Sequence, residues 1–241
     1  MASKCCFTGN LHEGESIGEI KELFGLKTYV TGSTSNDKII VILTDVYGIG
    51  LVNNRLIADQ IGKAGYKVVI PDILFGDAVT AMDGSVDFKD YAYRHRPEVT
   101  GPIISAFVEP LKKELNPKFL GVIGHCFGGR YAVDLIQSPS PLADAVAIAH
   151  PSFLENAKLK SIGQTPLLIS AAQVDPIFTT EARHEAEQIL IDSGAVFQMD
   201  LFSNVSHGFA VRGDIKDAKI KYAKEKVLLD QIHWFDHFSK A

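Results

Sequence analysis

The residues with the clearest chemical potential are Gly124-His125-Cys126-Phe127-Gly128. They form the pattern G-x-S-x-G with cysteine in place of serine. The residues before them, Phe119 to Ile123, are apolar or glycine and short enough for a buried strand. A strand, a sharp glycine-flanked turn and a following helix would stand Cys126 at the top of a sheet and at a helix N-terminus. The helix dipole there favours the thiolate, the reactive form of the side chain. With 3 Cys and 20 Gly in 241 residues, a chance G-x-C-x-G is expected only about 0.02 times, so composition alone does not account for it.

A thiol nucleophile needs a base to take its proton and hand it to the leaving group. The base needs a carboxylate to fix its tautomer and balance the imidazolium charge. Asp175 follows the segment ISAA, and His207 follows the segment DLF. Alone, Asp175 in VDP reads as a turn aspartate, and His207 as a hydrogen-bonded surface histidine. Together with Cys126 they give the order nucleophile, acid, histidine, each after a successive strand, which is the order in α/β-hydrolases. The catalytic triad expected from the sequence is therefore Cys126, Asp175 and His207. The oxyanion donors expected from the same geometry are two backbone N–H groups, Phe127 after the nucleophile and Val46 after the strand at 39–43.

These residues must be positioned by a sheet. Ile39-Ile40-Val41-Ile42-Leu43 is a continuous β-branched and aliphatic run, as in a strand buried on both faces. Further strands are expected at Leu26–Thr31, Lys67–Ile70, Ala145–Ala149, Leu167–Ala171 and Phe197–Phe202. A helix capped by Asn53 or Asn54 carries Ile57, Ile61 and Ala64 on one face and closes at Gly65. Residues 100–115 read as helical, and another helix follows the cysteine with Tyr131 and Leu135 a turn apart. Ala182, Ala186, Ile189 and Leu190 mark a helical face ended by Gly194. A long helix from about Lys216 to Phe238 has Leu228, Ile232 and Phe235 as its buried stripe. Residues 1–25 read as a loop with room for an edge element. Residues 76–98 lack clear periodicity and read as an irregular insertion available for substrate contacts.

Alternating buried strands and helices imply an α/β fold with a mostly parallel sheet and helices on both faces, as one domain over residues 1–241. In such sheets the ligand lies outside the carboxyl ends of the strands. The strand-end candidates are Asp45, Asp72, Cys126, His150, Asp175 and His207. Asp72 follows a proline in a tight turn and reads as structural. His150 comes one strand too early to be the base.

The net charge of −5, with 22% charged residues, leaves no basic footprint for nucleic acid and no polybasic segment for a membrane surface. No apolar run approaches the roughly 18 residues of a membrane span. The start, MASKCCFTGNLHEGE, has no signal-peptide core. Three cysteines without metal spacing fit a reducing, cytoplasmic setting, with the adjacent Cys5 and Cys6 incidental.

GHCFGG, the VDP aspartate and SHGF, with TDVYG after the early strand and PDILFGD after the next, resemble the dienelactone hydrolase (carboxymethylenebutenolidase) family. The likeness runs from about residue 26 to the last helix. The CCF start and HGFAVRGD further resemble a fungal branch that includes a yeast protein named for altered inheritance of mitochondria. The resemblance implies an α/β-hydrolase fold and cleavage of a small lactone or ester through a thioester, without metal or cofactor. In the family a glutamate at the position of Asp45 holds the resting thiol's proton until substrate binds; here it is an aspartate, one methylene shorter. The family also holds a substrate carboxylate with two arginines. The counterparts here are Arg94, with Arg96 as the other choice, and Arg212. The implied partner is a small lactone or ester, anionic in keeping with those arginines. A different class of function on the same scaffold is a non-hydrolytic protein that binds a small ligand or senses oxidants through Cys126.

Overall fold

The computed structural model describes residues 8–83 and 85–240. Cys5, Cys6 and the rest of the CCF start lie outside them. The described chain begins with an edge hairpin, β1 (Glu19–Leu23) and β2 (Leu26–Gly32). It is joined at Phe24-Gly25, both at positive φ, the backbone that tight hairpin turns require. There follow β3 (Lys38–Leu43), α1 (Val52–Lys63), β4 (Lys67–Pro71), α2 (Phe88–Arg94) and α3 (Pro97–Leu115). Next come β5 (Phe119–His125), α4 (Gly128–Asp134), β6 (Ala145–Ala149), β7 (Leu167–Val174) and α5 (Thr180–Asp192). The chain ends with β8 (Phe197–Ser206), the short α6 (Phe209–Arg212) and α7 (Ala218–Phe238).

The strands make one eight-stranded sheet in the order β1-β2-β4-β3-β5-β6-β7-β8. Pairing is antiparallel between β1 and β2 and between β2 and β4. It is parallel from β4 across to β8. The central strands are buried on both faces: Ile39 to Leu43 are all 0% exposed, as are Ala145 to Ala149. Their uninterrupted aliphatic sequences follow from that environment. Cutting one of these isoleucines back to alanine is expected to cost about 2–5 kcal/mol. This doubly covered parallel sheet is the α/β-hydrolase architecture expected from the sequence. It puts the carboxyl ends of β3, β5, β6, β7 and β8 along one rim.

Several local expectations are corrected. Asn53 and Asn54 do not cap α1, whose N-cap is Leu51. Both are buried, and their amides are drawn into tertiary contacts. Asn53 Nδ2 donates to the carbonyls of Asn10 and Val211, and Asn54 Nδ2 to Asp45 Oδ1 and the Gly48 carbonyl. Ala64 is exposed at the C-cap rather than on the buried face. The deepest line of α7 is Ala223, Val227, Gln231 and Phe235, with Leu228 and Ile232 only partly buried beside it. Gln231 is inward because His125 stands opposite it, 3.4 Å away. The 76–98 insertion holds α2, capped by the Asp87 side chain on the Lys89 and Asp90 amides. Seven residues are too few for a periodic signal.

Candidate active site

The glycines around Cys126 are required by close packing. A Cβ on Gly128 would come 2.1 Å from the Leu43 carbonyl oxygen, and one on Gly124 would come 2.7 Å from the Gly128 carbonyl oxygen. With α4 pressed so tightly onto β3 and β5, the chain must turn within one residue. Cys126 is that residue, at φ +49°, a left-handed conformation costing about 1–3 kcal/mol that surrounding contacts must hold. Its N–H donates to the Ala149 carbonyl (3.1 Å), and its own carbonyl accepts from Gly129 (3.0 Å) and Ser152 (2.8 Å). The Gly128 amide donates to the Thr44 carbonyl at 3.0 Å. The turn is thus clamped to the ends of β3 and β6.

Cys126 is 0% exposed, and His207 Nε2 lies 3.1 Å from its sulfur. On the other side of the ring, His207 Nδ1 lies 2.9 Å from Asp175 Oδ2. Asp175 Oδ1 accepts from the amides of Ile177 (2.9 Å) and Phe178 (3.1 Å). Two backbone donors therefore orient the carboxylate toward the ring. Burial alone would lower the His207 pKa. The negative charge on Cys126 and the hydrogen bond to Asp175 outweigh burial and raise it to about 10. The structure brings these three residues together from the ends of β5, β7 and β8, over 32 and 81 positions of chain.

The end of β6 adds Ser152, which the sequence reading did not name, and His150, which it listed as a strand-end candidate and set aside as the base. Ser152 Oγ lies 3.3 Å from Cys126 Sγ and 3.3 Å from His207 Nε2. His150 is fully buried, its ring edge-on to His207 at 5.2 Å between centroids. Among the described residues neither of its ring nitrogens meets hydrogen-bond geometry with a protein group. Burial holds its pKa below the ordinary histidine value. The signal for both was the strand-end rule itself, since His150-Pro151-Ser152 follows β6 directly.

The remaining expected residues are placed differently. Asp45 is fully buried, and both its carboxylate oxygens are engaged. Its Oδ1 accepts from Asn54 Nδ2 (3.0 Å) and the Tyr47 amide (3.3 Å), and its Oδ2 pairs with Arg212 Nη1. Arg212 is 2% exposed and also donates from Nε to the Thr8 carbonyl. Burial opposes its charge, and Asp45 more than restores it. It is the buried ion-pair partner of Asp45 and also feels the charge of Cys126. Arg94 pairs with Asp77 and Asp90 and does not line the cavity at Cys126, whereas Arg96 does. Asp72 accepts from the Leu74 and Gly76 amides within its own turn, as a structural aspartate does.

The cavity at the sulfur has a volume of about 70 Å³. Val46, Phe127, Tyr91, Tyr131 and Phe153 line it with Cys126 and Ser152, and Arg96 and Arg130 contribute charge. Arg130 is itself paired with Glu155 and Asp134. Among the described residues no helix is long and apolar enough to cross a membrane.

Fold and site together define a hydrolase of the α/β-hydrolase class, built to cleave carboxylic esters or lactones. Comparison with known proteins fixes the family. The chain belongs to the dienelactone hydrolase family, whose model matches residues 26–239. It is 39% identical over 242 residues to Hydrolase pyvD of Aspergillus violaceofuscus, covering 99% of this chain and 97% of that one. It is 34% identical over 250 residues to Hydrolase tropI of Talaromyces stipitatus, covering 99% and 97%. A human carboxymethylenebutenolidase homolog is 25% identical over 86% of this chain and 85% of its own. Among solved structures, a putative dienelactone hydrolase from Klebsiella pneumoniae superimposes with a TM-score of 0.71 at 13% identity, covering 88% of this chain and 92% of that one. A dienelactone hydrolase-like promiscuous phosphotriesterase from metagenomic libraries does so at 0.72 and 15%, covering 93% and 99%. Likeness at such identities concerns the fold alone.

Proposed function

We propose that the protein cleaves small lactones or esters with Cys126 as nucleophile, His207 as general base and acid, and Asp175 as the group that orients His207. One observation carries this reading: the continuous line from Cys126 Sγ through His207 Nε2 and Nδ1 to Asp175 Oδ2, with links of 3.1 and 2.9 Å. The thiolate adds to the substrate carbonyl, and the resulting oxyanion is met by the backbone N–H groups of Val46 and Phe127. His207 gives its proton to the departing oxygen as the C–O bond breaks, leaving a thioester. Water, deprotonated by His207, then cleaves the thioester and the proton returns through the imidazole.

Asp45 is paired with Arg212, and the group beside the Cys126 sulfur is His207 Nε2 at 3.1 Å. The resting pair in this reading is a thiolate and an imidazolium, armed before substrate arrives. An acidic substituent on the substrate would meet Arg96 rather than Arg94 or Arg212, since Arg96 is on the cavity wall. The aromatic lining and small volume favour a compact, planar substrate over a long acyl chain. A panel of lactones and aryl esters, with and without an acidic substituent, tests this with wild type and Cys126→Ala. Turnover by wild type only is expected, and activity surviving in the alanine variant would refute the mechanism.

A further inference from the structure

We propose that Cys126, His150 and His207 together form a site for a soft transition-metal cation, with Zn²⁺ as its probe, and that filling the site switches the hydrolase off. The binding claim stands on geometry; the inhibitory consequence rests on Cys126 being the nucleophile.

The Cys126 sulfur and one ring nitrogen from each histidine lie within 4.8 Å of one another, and all three residues are buried. Zinc binds thiolate at about 2.3 Å and imidazole at about 2.0–2.1 Å, so two such ligands on one ion stand roughly 3.3–3.7 Å apart. His207 Nε2 and the sulfur, at 3.1 Å, are already near that spacing. His150 must close the rest. Its ring nitrogens meet no hydrogen-bond geometry among the described residues, and the polar attraction it does feel is toward the Cys126 sulfur, so closing on that sulfur breaks no other bond. Asp175 holds Nδ1 of His207 and leaves Nε2 as the ligand atom. A carboxylate behind the ring in this way is the usual support of a metal-bound histidine. Ser152 Oγ, 3.3 Å from both the sulfur and Nε2, stands near the fourth position, which the hydroxyl or a water can fill.

The donor set decides the class of ion. One sulfur and two imidazoles suit Zn²⁺ or Cu⁺ and not Mg²⁺ or Ca²⁺, which require oxygen ligands. Binding forms one metal–sulfur and two metal–nitrogen bonds. It releases the single proton shared by the Cys126–His207 pair, and His150 enters as neutral imidazole. The sulfur lone pair that would attack a carbonyl is then held by the metal. The chemistry assigned to His150 differs from that of the triad: it is needed for the metal and not for proton transfer.

The test uses the full-length, metal-free protein. Co²⁺ is titrated first, because a thiolate ligand gives a near-ultraviolet charge-transfer band that reads binding without turnover. The expected result is one equivalent of cobalt, about one proton released per ion, and a band absent in Cys126→Ala, which keeps Cys5 and Cys6. Inhibition by Zn²⁺ is then measured against each variant's own metal-free rate. The volume-conserving His150→Gln is expected to weaken zinc inhibition by about 100-fold or more, beyond what loss of an outer partner costs, and a chelator restores the wild-type rate. His150→Phe provides a second variant of similar bulk. The proposal is overturned by no cobalt band, by a band that survives Cys126→Ala, or by zinc inhibition unchanged in both His150 variants. If Cys126→Ala still turns over substrate, the mechanism fails while the cobalt result stands or falls separately.

Discussion

Two strand-end loops each deliver a buried histidine to the same sulfur, and they make those histidines different chemical objects. The loop after β8 carries His207, whose far nitrogen meets Asp175, and its pKa is driven up to about 10 despite burial. The loop after β6 carries His150, whose ring nitrogens meet no carboxylate among the described residues, and burial holds its pKa down. The anchoring differs too. The β8 loop is pinned by the buried Asp45–Arg212 ion pair, whereas the β6 loop is held by backbone bonds from His150 to Ser170 and from Ser152 to Cys126. Proximity to a nucleophile therefore does not make a base; the group behind the ring does.

The largest effect separating the two histidines is kinetic. His207→Gln or Asp175→Asn is expected to lower kcat on the order of 10⁴-fold, the scale on which triads lose activity when the base or its orienting carboxylate goes. Steady-state kinetics on the best ester of the panel measures it, and a loss under tenfold for Asp175→Asn would remove the distinction between the loops. Next is the anchor. Arg212→Met leaves the buried Asp45 without its ion-pair partner, and is expected to destabilise the fold by about 3–5 kcal/mol, read by denaturant unfolding. The paired change Asp45→Asn with Arg212→Met is expected to recover part of that loss. Recovery of none would mean the pair is not the anchor.

A third test uses pH. A free thiol titrates near 8.5. With His207 holding its proton up to about 10, the thiolate is stabilised and alkylation of Cys126 by iodoacetamide should stay fast well below pH 8. In His207→Gln the profile should move up toward that of an ordinary thiol. The sign for stability follows from the same shift: a histidine raised above its ordinary value of about 6.5 contributes fully below that pH, and the contribution is lost as pH rises through about 10. The smallest expected effect belongs to the other loop. His150→Gln should cost less than about tenfold in metal-free turnover, below the 10²–10⁴ that a general base supplies. A larger loss would give His150 a part in proton transfer and weaken the contrast.

Much of this arrangement was readable before any coordinates. The buried strands announced themselves because burial on both faces leaves only aliphatic residues, as in Ile39 to Leu43. The order of Cys126, Asp175 and His207 matched the order of strand ends, which a parallel sheet converts directly into proximity. What escaped depends on single side chains choosing partners far along the chain. Asp45 finds Arg212 across 167 positions, and nothing in either local sequence specifies that pairing. Asn53 and Asn54 look like helix caps until tertiary carbonyls and Asp45 claim their amides. Gln231 turns inward to meet His125 and shifts the buried line of α7. The sequence reading put Arg94 ahead of Arg96, but Arg94, the last residue of α2, is drawn to Asp77 and Asp90, while Arg96, the N-cap of α3, stands on the cavity wall.

The central claim is that Cys126, and not its hydroxyl neighbour, carries the acyl group. Ser152 Oγ is 3.3 Å from His207 Nε2, close enough for the same base to serve it. The direct measurement is acid quench during turnover of an activated aryl ester, followed by peptide mapping of the acylated protein by mass spectrometry. The account predicts a burst of up to one alcohol per chain and an acyl group on the Cys126 peptide. An acyl group on the Ser152 peptide would contradict it.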